Sequence, residues 1–315
     1  MEIHGGSGTK NMNSLTVIIL TYNEEIHIER CIRSAQSVSN SVFVVDSNSS
    51  DRTVEIAQSL GASVWKHEFI NHADQFQWAL DNLPVNTEWV MRLDADKYLE
   101  PGLVNKIQQQ LPALPTDIDG IYIKRKVFFM SKWIRHGGFY PQIVMRIWRV
   151  GKGHIEQRWM DEHIVVSAGS KTTMFDEHLV DDDHKGITFW INKHNKYASR
   201  EAVDLLNLKY GFMPRDESLN LLSGNPQAKR KRVIKEKLYS RLPLGLRAGL
   251  YFLFRYIFYF GFMDGVKGWV YHFLQAFWYR FLVDIKINEL EERSHGNVEE
   301  IKRLLREQHG LDIKP

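Results

Sequence analysis

Cysteine is nearly missing from this 315-residue chain. Cys31 stands alone, so no internal disulfide can form, which fits a reducing compartment. It falls in a helical pattern, where it reads as a small core residue. A surplus of one charge is missing too. With 41 Lys and Arg against 38 Asp and Glu, the formal net charge of +3 is too small to imply nucleic acid by itself. Long apolar runs are absent in the form a membrane span needs, about 20 mostly apolar residues. The nearest candidate, residues 248–263, is broken by Arg255 and followed by Asp264 and Lys267. The start is polar and Gly-rich rather than a signal peptide, and residues 1–13 read as a disordered leader. Internal repeats are not seen.

Two phosphate-binding signatures are also lacking. The apolar run Leu15 to Leu20 is followed neither by Gly-x-Gly-x-x-Gly nor by Gly-x-x-x-x-Gly-Lys. That argues against a Rossmann dinucleotide enzyme and a P-loop NTPase. The run ends instead in Thr21-Tyr22-Asn23-Glu24-Glu25, a strand break with a helix-capping Asn and acids in the first turn.

The rest of the first hundred residues repeats this pattern. The spacing predicts strands at 42–45 ending at Asp46, at 63–65, and at 89–93 ending at Asp94, with a helix at about 73–80. Strand–helix alternation of this kind means βαβ units and a parallel sheet covered on both faces. After Pro101, residues 120–129 and 142–148 read as longer strands with basic residues interleaved, around an aromatic, Gly-rich stretch at 133–140. This half reads as mixed sheet with loops, a place for a second substrate. Residues 188–208 read as a helix, 214–226 as a loop, and the charged tail after Glu289 as a solvated terminal helix.

Ligands of a parallel sheet bind beyond the carboxyl ends of its strands. Three polar clusters fall there: Tyr22-Asn23-Glu24, Asp46 to Asp51, and Asp94-Ala95-Asp96. Two carboxylates one residue apart, at the end of a buried strand, offer hard oxygen ligands suited to Mg²⁺ or Mn²⁺ with a substrate's phosphates.

Taken in order and spacing, Val17-Ile18-Ile19-Leu20-Thr21-Tyr22-Asn23-Glu24, Val44-Val45-Asp46-Ser47-Asn48-Ser49-Ser50-Asp51-Arg52-Thr53 and Arg92-Leu93-Asp94-Ala95-Asp96 resemble glycosyltransferase family 2. The rest is similar to the bacterial subgroup that builds lipopolysaccharide core and other surface glycans, including β-glucosyltransferases. The resemblance implies an α/β GT-A fold, with a Rossmann-like, mostly parallel central sheet and helices on both faces. It implies an inverting, metal-dependent transfer of a hexose from a UDP-sugar. Tyr22 and Glu24 would then line the nucleotide pocket, with Thr21, Ser49, Arg92 and Ala95 beside them. Asp46 would accept from the uracil N–H, and Asp51 would lie near the base or ribose. Asp94 would contact ribose or metal, and Asp96 would ligate the metal.

The acceptor hydroxyl needs a base, for which a carboxylate is expected. The pair Asp161-Glu162 resembles the family's acidic pair in reversed order, leaving open which acts, with Glu162 favoured. His184, after Asp181-Asp182-Asp183, either completes the metal shell or sits in a solvated loop. Lys193 and Tyr197, one helical turn apart, match a Lys-x-x-x-Tyr pattern of the subgroup and either touch diphosphate or pack. His136, Arg146 and Trp148 either line an acceptor groove or are polar residues beside a core Trp.

Residues 250–260 and 269–281 are strongly aromatic, with the basic run Lys229-Arg230-Lys231-Arg232 upstream. Aromatic and basic residues together suit a helix lying in the membrane interface. The competing reading packs these helices on protein; a nucleic-acid module is not recognisable. The chain is thus expected to divide into a catalytic domain at 14–210, a linker and basic segment at 211–240, and a helical, aromatic-rich membrane-associating region at 241–315. The expected partners are a UDP-sugar and a lipid-linked glycan, met at the cytoplasmic side of the inner membrane. The competing functions are a nucleotidyltransferase and a non-catalytic membrane-associated scaffold.

Overall fold

The computed structural model describes residues 14–160, 162–214, 227, 242–311 and 313. The expected leader, Asp161, and the basic run at 229–232 lie outside the described residues, as does nearly all of the loop expected at 214–226.

The fold is built on one nine-stranded sheet. Its first four strands in spatial order are β3 (Ser63–Lys66), β2 (Ser41–Asp46), β1 (Leu15–Thr21) and β4 (Trp89–Asp94), all parallel. Every residue of β1 is buried, as expected of a strand covered on both faces. Val17 and Ile19 pack with Ile28, Cys31 and Ile32 of α1 (Ile28–Gln36), with Ala57 of α2 (Thr53–Ser59) beside them. Ile18 and Leu20 pack on the other face with Ala73, Phe76 and Ala79 of α3 (His72–Asn82), whose cap Asn71 accepts from the Asp74 amide at 2.8 Å. Cys31 is a fully buried core residue.

The mostly parallel sheet inferred from the resemblance holds only to β4; beyond it the sheet is mixed. The short β5 (Lys97–Leu99) precedes α4 (Pro101–Gln110), and the longer β6 (Ile118–Phe129), β7 (Lys132–Trp133) and β8 (Gln142–Arg149) come next. β8 runs antiparallel to both β4 and β6. After the small β9 (Gly153–Ile155) and β10 (Ile164–Val166) hairpin, β11 (Lys171–Asp182) pairs parallel with β6 and antiparallel with β5. The sheet therefore curls so that the end of β11 returns to the end of β4.

The long α5 (Gly186–Tyr210) covers the expected helix at 188–208 and ends at Gly211 with φ +65°, a left-handed cap that glycine adopts without strain. The chain then forms α6 (Leu246–Leu253), α7 (Gly265–His272), α8 (Tyr279–Ser294) and α9 (Val298–His309), with π-helical turns at Phe254–Phe258 and Phe273–Trp278. Ala202 and Leu206 of α5 pack with Val283 and Ile287 of α8 and with Ile301 and Leu305 of α9. The terminal helix, expected to be solvated, thus docks one apolar face. No helix among the described residues is long and apolar enough to cross a membrane.

A buried ion pair fixes the start of this region. Arg247 Nε donates to Asp284 Oδ1 at 2.8 Å, and the Gly245 amide donates to Oδ2 at 2.8 Å, with both side chains almost fully buried. Asp284→Ala strips a buried guanidinium of its carboxylate and is expected to cost about 3–5 kcal/mol. Urea denaturation checks this, and an unchanged midpoint would show that the pair contributes nothing.

Candidate active site

The strand registers bring the polar clusters together. Thr21 pairs with Asp46 and Leu20 with Asp94, so β1, β2 and β4 end level. Above them opens a cavity of about 1180 Å³. Of the residues expected from sequence, Thr21, Tyr22, Glu24, Arg92, Asp94, Ala95, Asp96, Arg146, Glu162, His184, Lys193 and Tyr197 line it. Asp161, the other expected acid, lies outside the described residues.

Three expected nucleotide contacts do not line it, because they build its rim. Asp46 is fully buried and accepts from the Ser49 hydroxyl at 2.5 Å and the Ser49 amide at 2.9 Å. Ser49 in turn accepts from the Asn23 amide at 2.8 Å. Asp51 accepts from the Thr53 hydroxyl and amide at 2.5 and 3.0 Å and from the Glu25 amide at 3.2 Å. These bonds staple the turn after β2 to the loop after β1 and leave Tyr22 exposed at the mouth. Glu24 is also engaged: His27 donates to it at 2.6 Å and Lys185 at 2.7 Å. His27 accepts from the His184 amide through its other nitrogen, at 2.8 Å.

The expected acceptor groove is corrected in two places. Trp148 is fully buried in the core against Phe76, ring centroids 5.8 Å apart, because β8 turns that face inward. His136 pairs with Asp264 at 2.8 Å and its amide donates to the same carboxylate, so it ties the loop before β8 to the start of α7. Arg146 does line the cavity, 3.6 Å from Asp94.

Charge is dense at the centre. Lys97 donates to Asp96 Oδ1 at 2.7 Å and sits 3.0 Å from Asp94 and 3.6 Å from Asp181. Lys193 sits 3.3 Å from both Asp96 Oδ2 and Asp183 Oδ2. Burial alone would lower the Lys97 ammonium, but Asp181, Asp94 and Asp96 outweigh it and raise it above its ordinary value. Burial would likewise raise Asp94, yet Lys97, Arg92 and Arg146 hold it well below the usual carboxylate range. Arg146 is pulled down to about 10 by burial, and its Nε has no hydrogen-bond partner among the described residues.

Glu162 faces this cluster. Its Oε1 accepts from Arg92 Nη2 at 3.0 Å, which fixes the carboxylate. His72 lines the same wall, and burial lowers it to about 4, so its ring is neutral at pH 7. Sequence reasoning missed Lys97, His72 and Arg125, which lines the cavity 3.5 Å from Asp181. Lys97 directly follows Asp96, and Arg125 is one of the basic residues interleaved in β6; nothing in the sequence distinguished His72.

The metal expected on Asp96 and His184 does not fit this arrangement. Both Asp96 oxygens are engaged by lysines, and His184 Nε2 lies 2.8 Å from Asp182, which Arg30 also binds at 3.0 Å. Among the described residues, no three His, Cys, Asp or Glu side chains stand ready to hold an ion; Asp94, Asp96 and Asp181 meet around the Lys97 ammonium instead.

Residues 16–180 match the model of glycosyl transferase family 2, and the chain belongs to that family. Uncharacterized glycosyltransferase RP128 of Rickettsia prowazekii is 25% identical over 90% of both chains. Lipopolysaccharide core biosynthesis glycosyltransferase LpsC of Rhizobium meliloti is 26% identical over 60% of this chain and 70% of its own. Uncharacterized glycosyltransferase RT0209 of Rickettsia typhi is 37% identical, but over only 31% of this chain and 32% of its own length. The protein is a glycosyltransferase.

Proposed function

We propose that the chain moves a hexose, with glucose favoured, from a UDP-sugar to a lipid-linked glycan, inverting the anomeric carbon. The product would be lipopolysaccharide core or another bacterial surface glycan. One observation carries the reading. A single cavity joins Thr21, Tyr22, Asp94 and Asp96, at the ends of β1 and β4, to Glu162, which Arg92 of β4 holds at 3.0 Å. The Asp and Tyr side chains suit ribose and base, and the cationic groups suit diphosphate. The acceptor oxygen attacks the anomeric carbon as the bond to the diphosphate breaks. Its proton passes to Glu162, and the nucleoside diphosphate leaves. The likeness to LpsC, a lipopolysaccharide core biosynthesis glycosyltransferase, supports the surface-glycan part.

The acceptor's lipid rests on a second observation. The cavity reaches Trp190, Tyr271 and Arg280, and residues just beyond expose a run of large apolar side chains, with Phe258 69% and Val266 80% exposed. An apolar strip of this extent suits the membrane interface. The chain would work there at the cytoplasmic face of the inner membrane.

Calorimetry with UDP, GDP and dTDP tests the donor. UDP is expected to bind at least about tenfold more tightly than the others, a difference of about 1.4 kcal/mol. Folded protein that binds none of them would sink the reading. NMR of the product's anomeric proton tests inversion: a linkage of the same configuration as the donor would overturn it.

A further inference from the structure

We propose that Lys97 and Lys193 stand in for a divalent ion, so that this glycosyltransferase holds its donor's diphosphate without metal. The inference rests on the reading that the cavity takes a nucleoside diphosphate.

A divalent ion in such a site would gather the carboxylates and meet the phosphates. Here the two tasks are divided between ammonium groups. Lys97 gathers: its Nζ lies within 3.6 Å of Asp94, Asp96 and Asp181, which come from β4, the turn after it and the end of β11. An ammonium has three N–H donors, and three carboxylates surround this one. Lys97 itself is buried, with only 6% of its surface exposed, so the cation is a fixed part of the site and not a mobile surface charge. Both Asp96 oxygens already face ammonium groups, Oδ1 at 2.7 Å and Oδ2 at 3.3 Å. An incoming ion would have to displace a buried lysine whose charge would then lack its partners, which is costly.

Lys193 meets the phosphates. Its two carboxylate contacts are long, 3.3 Å each, so it can turn toward a stronger anionic acceptor. It projects from α5 into the same cavity. Arg146 lines the same cavity with its guanidinium 3.6 Å from Asp94, a second cation beside the diphosphate position. The leaving diphosphate is thus stabilised by N–H donors and fixed positive charge.

The test uses the full chain in two measurements. The first is Mn²⁺ alone, titrated by calorimetry and by the loss of free-ion EPR signal. The wild type is expected to take up no Mn²⁺ at submillimolar concentration. Lys97→Met, which removes the one ammonium that Asp94, Asp96 and Asp181 share while keeping the stem, is expected to bind it. Tight Mn²⁺ binding by the wild type, or none by a folded Lys97→Met, overturns the proposal.

The second measurement is UDP binding with excess EDTA or with Mn²⁺. The wild-type affinity is expected to change less than about threefold between the two, and Lys193→Met to lose about tenfold or more in both. UDP binding that vanishes on chelation overturns the proposal while leaving the donor reading intact. Failure of any nucleotide to bind in either buffer sinks the donor reading instead, and the Mn²⁺ titration still decides the role of Lys97.

Discussion

Glu162→Gln is expected to lower the rate of sugar transfer about a thousandfold, within the range for losing a positioned base. The substitution is chosen because it changes little else. The Gln amide oxygen can accept from Arg92 Nη2 as Glu162 Oε1 does at 3.0 Å, so the geometry of the wall is kept. The carboxylate's ability to take the acceptor proton as the hydroxyl attacks is lost. UDP affinity and thermal stability should therefore stay close to wild type while turnover falls. Single-turnover transfer, measured beside calorimetric UDP binding, separates the two. A variant within about tenfold of wild type would place the base elsewhere, because that is less than a general base is worth. Its sequence neighbour Asp161 would be the next group to change.

The first half of the site was open to sequence reading for a physical reason. Parallel strands buried on both faces read as continuous apolar runs, so the points where β1, β2 and β4 end are marked by the first polar residue. That placed Thr21, Asp46 and Asp94 correctly at strand ends. It did not say which carboxylates would face the cavity, because that depends on hydrogen bonds across the chain. Asp46 and Asp51 were free to be ligands in the sequence; in the fold they accept from Ser49 and Thr53 and hold the rim.

The second half was harder. β11 (Lys171–Asp182) carries charged and polar residues along most of its length, so neither apolar alternation nor an apolar run marks it as a strand. Its parallel pairing with β6 and antiparallel pairing with β5 is what sets Asp181 opposite Lys97. An interaction 84 residues apart in sequence, resting on that curl of the sheet, leaves no local signal. Trp148 shows the same limit from the other side. An aromatic residue beside basic ones in a strand can face groove or core, and only the sheet's packing on α3 decides.

Replacing Phe254, Phe258 and Phe262 together with Ser is expected to lower partition onto anionic phospholipid vesicles by at least about a thousandfold, since each inserted ring contributes about 1.5–3 kcal/mol. The three rings are 50, 69 and 50% exposed and meet chiefly other rings of the same strip, Tyr256, Tyr259 and Phe260, so a thermal melt of the variant checks that the fold is kept. The underlying packing is elsewhere. Tyr271 closes against Phe139 and Phe129, Arg255 lies over the Phe139 ring, and Asp264 is anchored to the loop at His136. These contacts hold the strip in place against the cavity wall while its outer rings face away. Docking through those rings would present the cavity at headgroup depth, where a lipid-linked glycan carries its sugar. Vesicle sedimentation measures partition, and sedimentation velocity in parallel measures self-association. A wild type that ignores vesicles but forms dimers disrupted by the triple variant would assign the strip to a second copy of the chain and remove the membrane from the mechanism. Partition that falls with the triple variant, with UDP affinity unchanged, would separate the apolar strip from the donor site and tie it to the acceptor.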